Sequence, residues 1–228
     1  MKRSAKLLAL AVALFAGFGA STAQAEGFKT GVDLVSSYVW RGSELGDSPA
    51  IQPSLTYTFK NGISLGAWGS YGVKESLGER YKEVDLTVSV PVGPVTFSVV
   101  DYYLPYLRGS AIKTFDFSRT GPNILEGDIA YTAGNLSLLA AYNFAGFDPI
   151  DSHALYGEAS YKFYNKDGYS AKAVCGAGSK YFYGGVGGDE KKLAIVNTGI
   201  SVSKDRFTAS YVYNPISELS NLVFMASF

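Results

Sequence analysis

The 228-residue sequence has one cysteine, Cys175, and one histidine, His153. A single cysteine rules out an internal disulfide, on which exported domains of this size often rely. Its plain reading is a buried small apolar side chain. One His and one Cys do not make a transition-metal site. Formal charge is balanced at 20 basic and 20 acidic residues, without the basic patch or stripe that a nucleic-acid partner needs. Beyond residue 25 no apolar run approaches 18 residues, so a helical membrane protein is excluded.

Other chemistry is equally thin. Ser152 and His153 are adjacent, and neighbours on a strand face opposite ways, so they form no dyad. Asp148, Asp151 and Asp189 lack the ordered spacing of a calcium loop. The glycine-rich stretch 184–188 has no strand-to-helix context for cradling phosphate. The expectation is a chain with no cofactor that is not an enzyme.

The N-terminus reads as an address. Lys2, Arg3 and Lys6 precede the 12-residue apolar run Leu7–Phe18, and Ala23-Gln24-Ala25 is a small-x-small site. This is the layout of a secretory signal peptide, with a run too short to span a bilayer. Cleavage is expected after Ala25, leaving residues 26–228 as one domain. That domain holds 17 basic and 20 acidic residues, a net charge of about −3.

What the chain has in quantity is aromatic residues, 33 in all, and 26 glycines. These suit barrel strands and tight turns. The main signal is a period of two. From Ile51 to Phe59, Ile51, Leu55, Tyr57 and Phe59 alternate with Gln52, Ser54, Thr56 and Thr58. One face is therefore apolar and the other polar. Asn61-Gly62 then signals a hairpin. Similar segments recur to Leu222–Phe228, and counting Phe28–Trp40 as the first gives twelve strands. Most are about 9–11 residues long, enough for a tilted strand to cross the hydrocarbon.

Connections sort by parity. They are short around Asn61, Gly93, Gly134, Asp167 and Asp205. They are mostly longer at 42–50, 73–82, 104–123, 145–152, 179–192 and 215–219. Short periplasmic turns and long outer loops are the habit of bacterial outer-membrane barrels. Aromatics cluster at strand ends, as at Tyr38 and Trp40, Tyr57 and Phe59, and Tyr161 and Phe163, as interfacial girdles would. The predicted fold is all-β: an antiparallel up-and-down transmembrane barrel of about twelve strands in the outer membrane. Its outer face would meet lipid.

Val32-Asp33-Leu34-Val35-Ser36-Ser37-Tyr38-Val39-Trp40-Arg41-Gly42 resembles the N-terminal signature of the TorF-type porin family, whose first strand opens on Ser-x-Tyr-x-aromatic-Arg-Gly. Pro49–Pro53 and Leu65–Ser70 resemble its continuation, so the match covers residues 31–72. Ser37 departs from the family, which commonly has a second acidic residue there. The resemblance implies an outer-membrane barrel with a porin-like role. The terminal Phe228, with Phe224 and Leu222 on its face, resembles the signal read by the barrel-assembly machinery, an expected partner.

Parity assigns the interior. Asp33, Ser37 and Arg41 are four apart and share one face, with Arg41 at the top of the first strand. The inward-facing ionisable residues are Asp33, Glu83, Asp85, Glu126, Asp128 and Glu158 against Arg41, Lys162 and Lys172. An acidic excess favours cations in a narrow pore. Arg41 then either stands at the pore mouth or pairs with an interior carboxylate, and the loop 104–123 is a candidate constriction. Three readings stay open: a passive, mildly cation-selective channel for ions or small polar solutes; a barrel with a filled lumen whose loops bind partners; and a rim hydrolase using His153.

Overall fold

A computed structural model describes residues 26–75, 80–105, 113–147, 153–184 and 192–228. The signal-peptide reading and the loop residues Asp148, Asp151, Ser152, Asp189 and 185–188 fall outside the described residues.

The alternating segments form strands β1 (Gly27–Val35), β4 (Ala50–Thr58), β5 (Ser64–Gly72), β6 (Lys82–Val92), β7 (Val95–Tyr103), β8 (Asn123–Ala133), β9 (Leu136–Gly146), β10 (Leu155–Lys166), β11 (Tyr169–Ser179), β12 (Leu193–Lys204), β13 (Phe207–Asn214) and β14 (Leu219–Ser227). Each pairs antiparallel with its neighbour, and β1 closes on β14 to make a twelve-stranded barrel. At the seam Leu34 faces Ala226, Val35 faces Met225, and the Phe228 N–H donates to the Val32 carbonyl at 3.0 Å.

The faces are sorted as period-two patterning dictates, but opposite to a soluble sheet. On β6, Leu86 and Val88 point outward, 43% and 46% exposed, whereas Glu83 and Asp85 point inward at 5% and 9%. The outer wall is largely apolar, and the inner wall carries buried polar and charged residues interspersed with apolar ones such as Val35, Val100, Leu139 and Met225. Toward the short-turn end the outer wall carries Phe28, Tyr57, Phe59, Tyr131, Phe163, Tyr169 and Phe207. Phe28 and Tyr57 stack across β1 and β4 with ring centroids 4.7 Å apart. The strand ends joined by the long connections are all at the opposite end.

Two features depart from the sequence reading. Cys175 is exposed on the outer wall rather than buried, because its parity on β11 points away from the lumen. The first strand does not run to Trp40. It stops at Val35, and the chain turns into the barrel at Ser36 and Ser37. Tyr38–Trp40 (β2) and Ser43–Gly46 (β3) then form a separate two-stranded hairpin. The turn between them is Arg41-Gly42, with φ of 49° and 87°. Positive φ at both central residues is the tight hairpin turn whose twist matches its strands. The alternation of Tyr38 and Trp40 with Val39 is that of this hairpin, so Tyr38 and Trp40 belong to no outer girdle.

A latched plug as the candidate functional site

The hairpin packs against the inner wall in the long-connection half of the barrel. Tyr38 packs on Trp68 and Tyr81, at 5.5 and 5.4 Å between ring centroids. Val39 packs on Val212 and Val223. From the far side the short helix α1 (Lys180–Gly184) contributes Tyr183, which is fully buried with Tyr156, Val196 and Ala154. An apolar cluster thus sits within the lumen beside buried polar groups.

Arg41 is its electrostatic centre. Nη1 donates to Glu126 Oε2 at 2.6 Å and Nη2 donates to Oε1 at 2.8 Å. This bidentate geometry is the strong form of the pair. Nη1 also donates to the Tyr183 hydroxyl at 2.9 Å. Tyr102 donates to Glu126 Oε1 at 2.6 Å. The guanidinium carbon lies 4.4 Å from the Trp40 ring centroid, 4.5 Å from that of Tyr156 and 5.8 Å from that of Tyr183. These are cation–π distances. Side-chain exposure is 8% for Arg41 and 0% for Glu126. Burial opposes the charge on Arg41, but Glu126 together with the hydroxyls of Tyr183 and Tyr102 outweighs it and holds the guanidinium well above its ordinary pKa. Burial likewise pushes the Tyr183 hydroxyl up, with Arg41 pulling the other way.

The wall is shaped for this insertion. On β12, Val196 is the extra residue of a bulge between Gly176 and Ala177. A Cβ on Gly42 would overlap the Val196 carbonyl, so the hairpin tip fits only as glycine. On β9, Phe144 is the extra residue of a second bulge, opposite Leu125 and Glu126. Bulges re-aim side chains in this way. Gly176 and Gly178 leave room for Tyr156 and Tyr183, since a Cβ at either would clash with those rings. Tyr183 is anchored through its carbonyl, which accepts from Ser43 Oγ at 2.7 Å and Asn214 Nδ2 at 2.9 Å.

The other residues predicted for the interior lie on inward-facing positions, in separate groups. Asp85 and Asp128 are buried beside the latch, and Asp128 follows Glu126 on the same face of β8. Glu158 accepts from the Tyr156 hydroxyl at 2.6 Å and from Asn197 Nδ2 at 3.2 Å. Lys162 and Lys172 are cross-strand partners nearer the short turns. Asp33 is buried on β1 between Gln52 and Ser227. It is not on one strand with Arg41, because β1 ends at Val35 and Arg41 lies in the turn after β2. Lys29 has the same parity as Asp33 and adds a base that the sequence inventory omitted.

Residues 113–120 of the connection 104–123 are mostly exposed, and residues 106–112 fall outside the described residues; among the described residues the hairpin and α1 are what enter the lumen. His153 is exposed, at φ 44°, with its ring 6.0 Å from that of Tyr142. Tyr102 and Tyr156 were inward by parity. Tyr183 lies in a connection where no periodicity pointed to it.

No curated protein matches the chain. Residues 19–180 match a family described as bacterial protein of unknown function, Gcw_chp. That stretch includes Arg41, Tyr102, Glu126 and Tyr156. Since it spans well over half of the sequence, the chain belongs to the Gcw_chp family of bacterial proteins.

Proposed function

We propose that this protein is an outer-membrane barrel acting as a narrow, porin-like channel for passive diffusion of ions or small polar solutes. The observation that carries this reading is the wall itself, with large hydrophobic side chains exposed outside and carboxylates buried inside. Lipid is the solvent that such an outer face requires, and a closed barrel satisfies its backbone groups there. Supporting it are the connections sorted by length and the resemblance of residues 31–72 to TorF-type porins. The chain is read as a conduit without catalysis. The β2–β3 hairpin is its constriction.

With Arg41 neutralised by Glu126, the inward-facing acids Asp33, Glu83, Asp85, Asp128 and Glu158 still outnumber Lys29, Lys162 and Lys172. Mild cation selectivity follows. Asp85 and Asp128 are better probes of it than Glu126, whose loss would also unseat the hairpin. A second reading, a barrel with a filled lumen that acts through its loops, is favoured by the complete burial of Tyr183, Glu126 and Val196.

The test is single-channel recording of refolded residues 26–228 in a planar bilayer under a salt gradient. The channel reading expects small discrete steps with a cation-directed reversal potential that Asp85→Asn and Asp128→Asn reduce. Folded, inserted protein without steps would favour the filled barrel.

A further inference from the structure

Arg41 sits in its cage as a ligand sits in a site. Among the described residues, every group that touches the guanidinium apart from Trp40 belongs to the barrel wall or α1: Glu126 on β8, Tyr156 on β10, and Tyr183. Tyr102 on β7 holds Glu126 in place. The hairpin that carries Arg41 forms its own sheet and joins no barrel strand. Side-chain packing, the hydrogen bond from Ser43 Oγ to the Tyr183 carbonyl and this one charged group hold it in the lumen. A bidentate carboxylate between aromatic faces matches a planar guanidinium in shape and charge. It does not require that the guanidinium be tethered.

We infer that this cage is a binding site for guanidinium-bearing solutes and that Arg41 is its built-in, displaceable occupant. A free solute that takes the cage releases the hairpin and widens the lumen. The gating half of this inference rests on the channel reading above, whereas the binding half does not. Competition is uphill, because a tethered group acts at an effective concentration of roughly millimolar or more. The unaltered chain therefore responds only to guanidinium well above that level. Removing the Arg41 side chain empties the cage and leaves Glu126, Tyr156 and Tyr183, the groups contributed by the barrel wall and α1.

Methylguanidinium is the probe. Trp40 and Trp68 are the only tryptophans, and Trp68 contacts Tyr38 rather than the cage. A Trp68→Phe background therefore makes Trp40 the sole reporter. In refolded residues 26–228 carrying Arg41→Ala, methylguanidinium should shift Trp40 emission saturably, half-complete at about 1–10 mM, the range of one small cation in a cage. Neutral methylurea should not. Adding Glu126→Gln should abolish the response. Heat-modifiable gel migration checks folding, and Arg41→Gln replaces Arg41→Ala if the latter does not fold.

In bilayer recordings the sign should invert. Methylguanidinium should raise conductance of the unaltered chain and lower that of Arg41→Ala. Absence of an emission shift in folded Arg41→Ala, or an equal shift with Glu126→Gln added, overturns the cage. An emission shift without conductance in any variant keeps the cage and overturns the channel. Conductance moving in the same direction in both proteins overturns the gating.

Discussion

The carboxylate of Glu126 and the guanidinium of Arg41 are 85 residues apart in sequence and meet through two hydrogen bonds of 2.6 and 2.8 Å. One belongs to the barrel wall and the other to a hairpin with no backbone ladder to that wall. The pair therefore reports on whether the plug is seated.

Breaking it should be expensive. Glu126→Ala leaves a buried guanidinium uncompensated, which costs about 3–5 kcal/mol. Urea unfolding of the refolded barrel in lipid vesicles measures this. Arg41→Ala combined with Glu126→Ala should destabilise by less than the two single losses together, because the second change removes the charge that the first stranded. A single-variant loss below about 1 kcal/mol would be the behaviour of an exposed pair and would contradict the burial.

Gly42→Ala should unseat the hairpin tip while leaving the barrel closed. Its backbone at φ 87° costs an L-residue about 1–2 kcal/mol, and the added Cβ meets the Val196 carbonyl. The expected outcome is raised conductance with folded, heat-modifiable protein. Conductance equal to that of the unaltered chain would mean that the hairpin is not the constriction.

Depth on the outer wall should set the cost of charge. Val88 lies near the middle of β6 and Val92 at its short-turn end. In a bilayer, Val88→Arg should cost about 2–4 kcal/mol and Val92→Arg about 0–1. Equal effects at both positions in vesicle unfolding would speak against a membrane midplane at Val88.

The twelve strands were legible because each has one polar and one apolar face, and because turns and loops alternate by length. The hairpin was not. Its alternation at Tyr38–Trp40 continues that of Val32–Leu34 in kind, so a strand and a strand followed by an inserted hairpin read alike. Only Arg41-Gly42, which takes positive φ at both positions, marks the turn. The inward facing of Asp33, Asp85, Glu126, Asp128, Glu158, Lys162 and Lys172 followed from parity. Pairing Arg41 with Glu126 required the barrel to close, since β2 and β8 share no ladder. The exposure of Cys175 is a matter of which solvent the apolar face meets, and parity does not name the solvent.

That solvent can be asked of Cys175 directly, since it is the only thiol and it faces outward on β11. In vesicles holding the refolded protein, a membrane-impermeant maleimide should leave Cys175 unlabelled until the barrel is unfolded. In a Cys175→Ser background, Thr120→Cys, on the exposed connection between β7 and β8, should label at once. Cys175 labelling in vesicles as fast as Thr120→Cys would place the outer wall in water and contradict a barrel that spans a membrane.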